Sequence, residues 1–499
     1  MSRDDAPDGT TPPAPSLREQ AVDGVFWSVV QRWLVRFSTI IAFVVLGRLL
    51  TPVEFGLVAL AMAVVTVLTV FTDAGFSTWL IQHKRLDGVA TSTAFWISLA
   101  LGVLLAVLLA VTAGAAAEAL GSPELTPVLQ VLSVSLVLAG LSSVPAALLQ
   151  RELRFRELAI RQVLATGLSV IAAVALAFAG AGVWALVAQT LVRLVVSTVA
   201  LWLTTDFRPR LEFSGTEAKD AIGFGSKSVG AQLGFAFREQ GESFVIGVVL
   251  GTVSLGFWTI AARVVNVVVE LCASAMGAVA YPLFAQLQND RDRLNTAFAR
   301  TMSAQAIVLA PVMVAMSLAS TDLVPLVFGS RWETSAAIAA VLSAGTLFVG
   351  LSGLQRGILM GTGHAGTELW VTIVTVVGQI GIILLLAGDG LLAIAYGVSA
   401  WGLAVFLLRC VVVSRLLGVR APAYAQTAAV LLAGGLAAGA VLLVHVLAQP
   451  QDLLWLLTVA VVGGGVFLPA AWLLARPTWR ELTGSVLDAV RRRRHRKAA

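Results

Sequence analysis

The chain has 499 residues, of which 58% are hydrophobic and 12% are charged, and its formal net charge is +6. A soluble domain carries about a quarter charged residues, so this composition excludes a soluble globular protein and predicts an all-α polytopic membrane protein. The two cysteines, Cys272 and Cys410, both lie in apolar segments, which gives no support for a disulfide framework or a metal site.

The chain begins with a polar stretch and continues with long apolar segments. Residues 1–20 lack the apolar stretch of a signal peptide, so a short disordered cytoplasmic tail is expected. Fourteen apolar segments follow, each near or above the roughly 20 residues that cross a membrane as a helix. The predicted transmembrane helices are 24–49, 54–80, 90–114, 125–149, 157–180, 182–204, 220–249, 253–285, 294–319, 334–359, 367–387, 390–413, 424–447 and 453–475.

A basic tail, residues 477–499, closes the chain and contains the run RRRRHRK at 491–497. It is interpreted first as a topology anchor. The alternative is attraction to anionic membrane lipid, worth about 1 kcal/mol for each basic residue near the surface. No nucleic-acid partner is expected, because no soluble basic domain accompanies this tail.

Lysine and arginine predict the orientation of the fourteen helices. With the N-terminus in the cytoplasm, the cytoplasmic segments hold 24 of the 34 basic residues, and the outer loops hold only Arg48 and Arg331. Basic residues accumulate on the cytoplasmic side of membrane proteins. Both ends of the chain are therefore predicted to be cytoplasmic.

Two halves of the sequence resemble each other. The stretches GRLLTPVEFG (47–56) and GVVLGTVSLG (247–256) match at four positions with an offset of 200 residues, and two further matches follow at offsets of 205 and 208. Six helices in each half give both halves the same orientation, which is a parallel repeat with substrate sites at the repeat interface. The predicted domains are an N-lobe with helices 1–6 (21–205), a C-lobe with helices 7–12 (206–420), and helices 13–14 (421–476).

Four stretches then carry a family resemblance. They are GRLLTPVEFGLVALAMAVVTVLTVFTDAGF (47–76), RELRFRELAIRQ (151–162), GAGVWALVAQTLV (180–192) and VFGSRW (327–332). The sequence resembles the polysaccharide-exporter, or Wzx-like, branch of the multidrug/oligosaccharidyl-lipid/polysaccharide (MOP) exporter superfamily, and within it exporters of the colanic-acid and teichuronic-acid type. The resemblance covers residues 20 to about 420.

The resemblance implies two six-helix bundles around a central cavity with alternating access. It implies a bacterial inner-membrane flippase that moves polyprenyl-diphosphate-linked oligosaccharide to the outer leaflet for cell-surface polysaccharide biosynthesis. Functional links to glycosyltransferases and a polymerase follow from that role. The protein is expected to act as a monomer without a cofactor, and the family carries over no residue roles.

Basic residues inside the predicted helices form stripes. Arg32 and Arg36 lie four residues apart on helix 1 and share a face. Lys227 and Arg238 nearly eclipse on helix 7, and Arg263 lies on helix 8. Helices 1 and 7 are the first helices of the two lobes. If these helices meet at a lobe interface, their basic residues would line one water-filled cavity with a net positive charge. Because guanidinium groups bind phosphate oxygens in a fork, these five residues are the predicted diphosphate-binding site.

Acidic residues near these stripes leave an alternative open. Glu242 follows Arg238 by one helical turn, and Glu270 follows Arg263 by two, so ion pairs that lock the helices compete with a role in the cavity. The candidates for pairing or ion coupling are Glu239, Glu242, Glu270 and Asp73.

Local structure offers alternatives at two positions. Asp73, in FTDAGF, could bind a coupling cation, but capping of the turn around Gly75 is the favoured interpretation. Arg32 is close enough to the end of helix 1 to snorkel back to the interface. Arg36 lies deeper, which favours a cavity role.

Other functions compete with the flippase. A multidrug or cation antiporter of the same fold would need an acidic cavity, which the arginines disfavour. A flippase for the peptidoglycan lipid precursor also binds diphosphate, and only the motif stretches argue against it. A membrane enzyme would need a large soluble loop or an acidic catalytic pair, and neither is evident. The sequence has no phosphate-binding P-loop and no nucleophile–base pair, so a transporter without ATPase activity is expected.

Overall fold

The computed structural model describes residues 17–82, 87–420, 422–449 and 452–474, and every long element in them is an α-helix. The predicted tails at 1–20 and 477–499 lie outside these ranges, apart from 17–20. The helices are α1 Leu17–Leu49, α2 Pro52–Asp73, α3 Phe76–Gln82, α4 Gly88–Ala119, α5 Leu125–Leu132, α6 Val134–Arg151, α7 Phe155–Phe178, α8 Val183–Thr204, α9 Gly215–Leu287, α10 Arg291–Phe328, α11 Glu333–Gly361, α12 Ala365–Leu386, α13 Leu391–Leu417, α14 Pro422–Ala448 and α15 Asp452–Leu474.

Each of the fourteen predicted segments lies on one or two of these helices. The segment 54–80 is divided between α2 and α3, because Ala74 and Gly75 adopt positive φ angles at the end of α2. The segments 220–249 and 253–285 both belong to α9, which is interrupted at Gly251 (φ 84°, ψ 172°). Only glycine adopts such a conformation without strain, so the predicted boundary between helices 7 and 8 is present.

Twelve stretches of the described helices are long and apolar enough to cross a membrane. One of them, Gln232–Cys272, counts once although Gly251 interrupts it, and α1 is not in the set. The structure thereby confirms an all-α polytopic membrane protein. It supports twelve spans by length and composition, where the sequence predicts fourteen.

The chain packs as two compact units. The described residues of the first unit fall within Met1–Leu49, Val64–Glu118 and Pro123–Phe237, and those of the second within Leu50–Ala63, Ala119–Ser122 and Arg238–Ala499. This division follows packing, whereas the predicted lobes follow the sequence repeat. The lobe boundary at 205/206 therefore remains a prediction.

Aromatic side chains build part of the first unit. Phe95 on α4 contacts the rings of Trp202 and Phe207 edge to face. The indole of Trp202 donates to the Leu141 carbonyl on α6 at 3.2 Å. These contacts fasten the end of α8 and the residues after it to α4 and α6.

A reciprocal glycine contact lies within the second unit. Gly56 on α2 is so close to α9 that a Cβ there would lie 1.7 Å from the carbonyl oxygen of Thr252, and a Cβ on Gly256 would lie 1.8 Å from that of Pro52. The two contacts exchange under the 200-residue offset that relates the repeats. Equivalent residues contact each other in this way around a two-fold axis, which supports the repeat.

Candidate functional site

The predicted site residues are distributed over both units. Arg32, Arg36, Asp73 and Lys227 belong to the first unit; Arg238, Glu239, Glu242, Arg263 and Glu270 belong to the second. Arg32 lies on α1 and Lys227 on α9, with side chains outside the described part of the structure. The backbone carbonyl of Arg36, also on α1, accepts a hydrogen bond from the Thr39 hydroxyl at 2.9 Å.

Asp73 joins three elements of the first unit. Its Oδ1 accepts from the Ser77 amide at 3.3 Å and from the Ser143 hydroxyl at 2.6 Å. These bonds tie the end of α2 to the start of α3 and to α6, across the turn where Ala74 and Gly75 have positive φ. The arrangement favours the capping interpretation of Asp73 over cation binding.

Glu242 is partly buried on α9 before its break and meets only neutral donors. Its carboxylate accepts hydrogen bonds from the Trp258 indole, after the break, and from the Gln379 amide on α12. Among the described residues it forms no ion pair with Arg238, the pairing that the one-turn spacing suggests. The carboxylate instead accepts hydrogen bonds from donors on neighbouring segments. No spacing in the sequence could identify these donors.

Arg263 and Glu270 form no ion pair with each other within the described part of the chain. Seven residues separate them, a rise of about 10.5 Å along a helix, which is too far for the contacts made three or four residues apart. Both side chains are exposed. Glu239 is also exposed on α9.

Three charged residues of the second unit form a cluster that no spacing in the sequence indicates. We call Arg356 on α11, Glu368 on α12 and Arg409 on α13 the arginine–glutamate triad. Glu368 is paired in a two-pronged ion pair with Arg409, in which Arg409 Nη2 donates to Glu368 Oε1 at 3.0 Å. Arg356 forms a second ion pair, with its Nε 3.3 Å from the same Oε1. The Thr372 hydroxyl also donates to Oε1, at 3.1 Å.

The two arginines of the triad differ in exposure. The side chains of Arg409 and Glu368 are 4% and 8% exposed, whereas that of Arg356 is 46% exposed. The charges of Arg238 and Arg409 both act on Arg356. The triad itself carries one net positive charge, since two guanidinium groups share one carboxylate.

A signal for this triad exists in the sequence. Arg409 lies inside the predicted helix 390–413, about one turn from its end, and an arginine inside a membrane helix needs a partner or a function. The sequence leaves that partner undetermined. Only the packing of α11, α12 and α13 identifies it as Glu368.

Residues 151–162, one of the four stretches that carry the family resemblance, lie at the turn between α6 and α7 and on the start of α7. Arg151 Nη1 donates to the Leu80 carbonyl at 2.6 Å, and Arg154 donates to the Thr204 carbonyl at 3.1 Å. A hydrogen bond to Glu157 raises the pKa of Arg154. These residues therefore fasten helix ends of the first unit.

No three His, Cys, Asp or Glu side chains come together as a metal site would require, within the residues that the structure describes. The charged groups of the second unit described above are guanidinium groups, the hydrogen-bonded carboxylates of Glu242 and Glu368, and the exposed Arg263.

Comparison with known proteins gives a consistent result. A family model described as "Polysaccharide biosynthesis protein" matches residues 45–337. The succinoglycan biosynthesis transport protein ExoT of Rhizobium meliloti is 28% identical over 73% of this chain and 74% of its own length. The lipopolysaccharide biosynthesis protein WzxC of Escherichia coli is 24% identical over 64% of this chain and 65% of its own length.

Two solved structures share the fold. The lipid II flippase MurJ in an inward closed conformation superposes with a TM-score of 0.73 at 14% identity, covering 91% of this chain and 99% of that one. An inward-facing multidrug resistance transporter of the MATE family gives 0.60 at 16% identity, covering 77% and 95%. At these identities the likeness shows the fold alone.

Proposed function

The chain belongs to the polysaccharide biosynthesis protein family, within the MOP superfamily of transporters, and from that premise we propose that it flips polyprenyl-diphosphate-linked oligosaccharide from the inner to the outer leaflet of a bacterial cell membrane. It is a multi-pass transporter rather than an enzyme. The names of the succinoglycan and lipopolysaccharide relatives support a cargo destined for cell-surface polysaccharide.

The observation that carries the proposal is Arg263, a positive charge inside a helix with no matching acid among the described residues. Arg263 is exposed and has no hydrogen-bond or ion-pair partner among the described residues. An arginine within a membrane helix is costly, and such residues mark substrate pathways. Guanidinium binds phosphate oxygens, so this charge suits an anionic diphosphate and disfavours a cationic drug.

The proposed transport cycle is alternating access. Fourteen spans, with both chain ends in the cytoplasm, would form two six-helix lobes around a cavity and a C-terminal pair of helices. Arg32, Arg36, Lys227, Arg238 and Arg263 are the proposed cavity residues. The protein would act as a monomer, supplied by glycosyltransferases and followed by a polymerase.

The test is the lipid content of cells depleted of this protein, measured by mass spectrometry of lipid extracts. We expect polyprenyl-diphosphate oligosaccharide to accumulate, because its exit from the inner leaflet is blocked. The mass of the accumulated lipid separates a surface-polysaccharide precursor from the peptidoglycan precursor.

One observation favours a second function, a cation antiporter. The carboxylate of Glu242 has only neutral donors in the described structure. Its negative charge is therefore not neutralised by these donors, and a proton or a small cation can neutralise it. An unchanged lipid pool together with raised sensitivity to cationic drugs would replace the flippase by this antiporter, with Glu242 as its ion site.

A further inference from the structure

We propose that Arg356 binds the diphosphate group of the cargo and that the Glu368–Arg409 pair is the scaffold that holds it in place. This inference rests on the proposed flippase function and adds a ligand-binding residue that the sequence stripes do not contain. Its basis is the geometry of the arginine–glutamate triad within the second unit.

The bonding of Arg356 leaves one edge of its guanidinium open. Its one ion pair among the described residues joins Nε to Glu368 Oε1, 3.3 Å apart. The terminal nitrogens Nη1 and Nη2 have no protein acceptor there, and the side chain is 46% exposed. A guanidinium presents its donors in a planar fork that matches two phosphate oxygens. The open edge of Arg356 is such a fork.

The carboxylate of Glu368 cannot neutralise Arg356 fully. Both of its oxygens already accept from Arg409, and Oε1 also accepts from Thr372. Arg409 is 4% exposed, so Glu368 is required as the partner of that buried charge. One positive charge is left over, and it lies on the exposed member of the triad.

Neighbouring charge strengthens the case for an anion. Arg238, one of the residues predicted for the substrate site, acts electrostatically on Arg356, and the two positive charges repel each other. An anion between or beside them would relieve this repulsion. A diphosphate carries two adjacent phosphate groups, so it can meet one guanidinium with each.

A purely structural role would give a different geometry. An arginine that served only to lock α11 to α12 would place its fork on the carboxylate, as Arg409 does from α13. Arg356 instead uses its Nε and keeps the terminal nitrogens clear. A phosphate is the shared chemistry of two ligand sources, the cargo and a membrane phospholipid, and the experiment separates them.

The experiment measures binding of polyprenyl diphosphate to the purified full-length protein, with polyprenyl monophosphate and phosphatidylglycerol as comparison ligands. The variants are Arg356→Ala and Arg356→Lys. Arg415→Ala is the matched control, because Arg415 is an exposed arginine on the last turn of α13 and is not a member of the triad. Thermal melting of each variant verifies that it is folded.

We expect both Arg356 variants to weaken diphosphate binding by about tenfold or more, as loss of a charge-assisted fork predicts. Lysine should not restore it, because an ammonium group lacks the fork. Binding of the monophosphate and of phosphatidylglycerol should change much less, and Arg415→Ala should bind like the wild type.

Two results would overturn the inference while the flippase stands: wild-type diphosphate affinity in folded Arg356→Ala, or an equal loss for phosphatidylglycerol, which would make Arg356 a membrane-lipid contact. A wild-type protein that binds no polyprenyl diphosphate would instead overturn the proposed function, and the inference with it.

Discussion

Two carboxylates of the second unit, Glu242 and Glu368, accept hydrogen bonds from side chains on other helical segments. Glu242 is held by Trp258 and Gln379, and Glu368 by Arg356 and Arg409. Burial of a charge in a membrane helix demands such partners. The partners of a charged side chain therefore depend on which helical segments are adjacent to it.

The Glu368–Arg409 pair predicts a large loss of stability when only one partner is changed. Glu368→Gln leaves the buried guanidinium of Arg409 without its counter-charge, which costs about 3–5 kcal/mol in the free energy of unfolding. Unfolding of the purified protein in detergent, followed by heat or denaturant, measures this loss.

The double variant Glu368→Gln/Arg409→Met provides the control, because it removes both buried charges and should recover most of the stability. Arg356→Ala should have little effect, since its side chain is 46% exposed. Equal stability of Glu368→Gln and the wild type would show that the pair does not carry a buried charge.

The candidate site was predictable from the sequence only in part. Arg238, Arg263 and Glu242 are identifiable because a charge inside an apolar segment is conspicuous. Their partners were not predictable: the spacing suggested Arg238 with Glu242, whereas the carboxylate is bound by Trp258 and Gln379. Sequence spacing reports neighbours on one helix, and these contacts join different segments.

At the scale of elements, the helices themselves follow from apolar length, but the interruptions follow from packing and glycine. The division of the predicted helix 54–80 into α2 and α3 could not be predicted from hydropathy, because Ala74 and Gly75 turn the chain within an apolar stretch. Gly225 on α9 packs there, with an ideal Cβ only 2.0 Å from the Ala74 carbonyl oxygen. Close approach of two backbones has no periodic signature.

The reciprocal glycine contact predicts matched effects at two distant positions. Gly56→Ala and Gly256→Ala each place a methyl group into a carbonyl of the facing helix, so each should destabilise the protein by about 1–3 kcal/mol through overpacking. The double variant should cost less than the sum, because the first methyl already separates the helices. Thermal melting of the three variants measures this.

Gly435→Ala on α14 is the control, because a Cβ at Gly435 meets no atom within 4 Å. Alanine is the better helix former, so this variant should be as stable as the wild type or slightly more so. Additive losses at Gly56 and Gly256 would contradict a shared contact.

At the scale of the whole molecule, composition and motif stretches together sufficed for the class of protein. The low charge content and the apolar segments predicted a polytopic membrane protein, and the family match over residues 45–337 confirmed the resemblance. The two compact units did not follow from the repeat, since packing assigns the start of α2 to the second unit.

The proposed orientation predicts which loops face the outside. A cysteine at Glu124, between α4 and α5, should react with a membrane-impermeant maleimide in intact cells. A cysteine at Asn289, between α9 and α10, should react only after the membrane is opened. Both positions are exposed, and Cys272 and Cys410 would first be replaced. The opposite pattern would invert the proposed topology.

The exchange of contacts between Gly56 and Gly256 has a consequence for descent. Two copies of a half-length chain, paired side by side, would make this contact twice through the same glycine position. Any substitution at that position would therefore change both contacts at once. A gene duplication that joins the copies frees each position to vary alone. Such a duplicated chain can become asymmetric, with a triad such as Arg356, Glu368 and Arg409 in one half, while the close contact of Gly56 and Gly256 is kept.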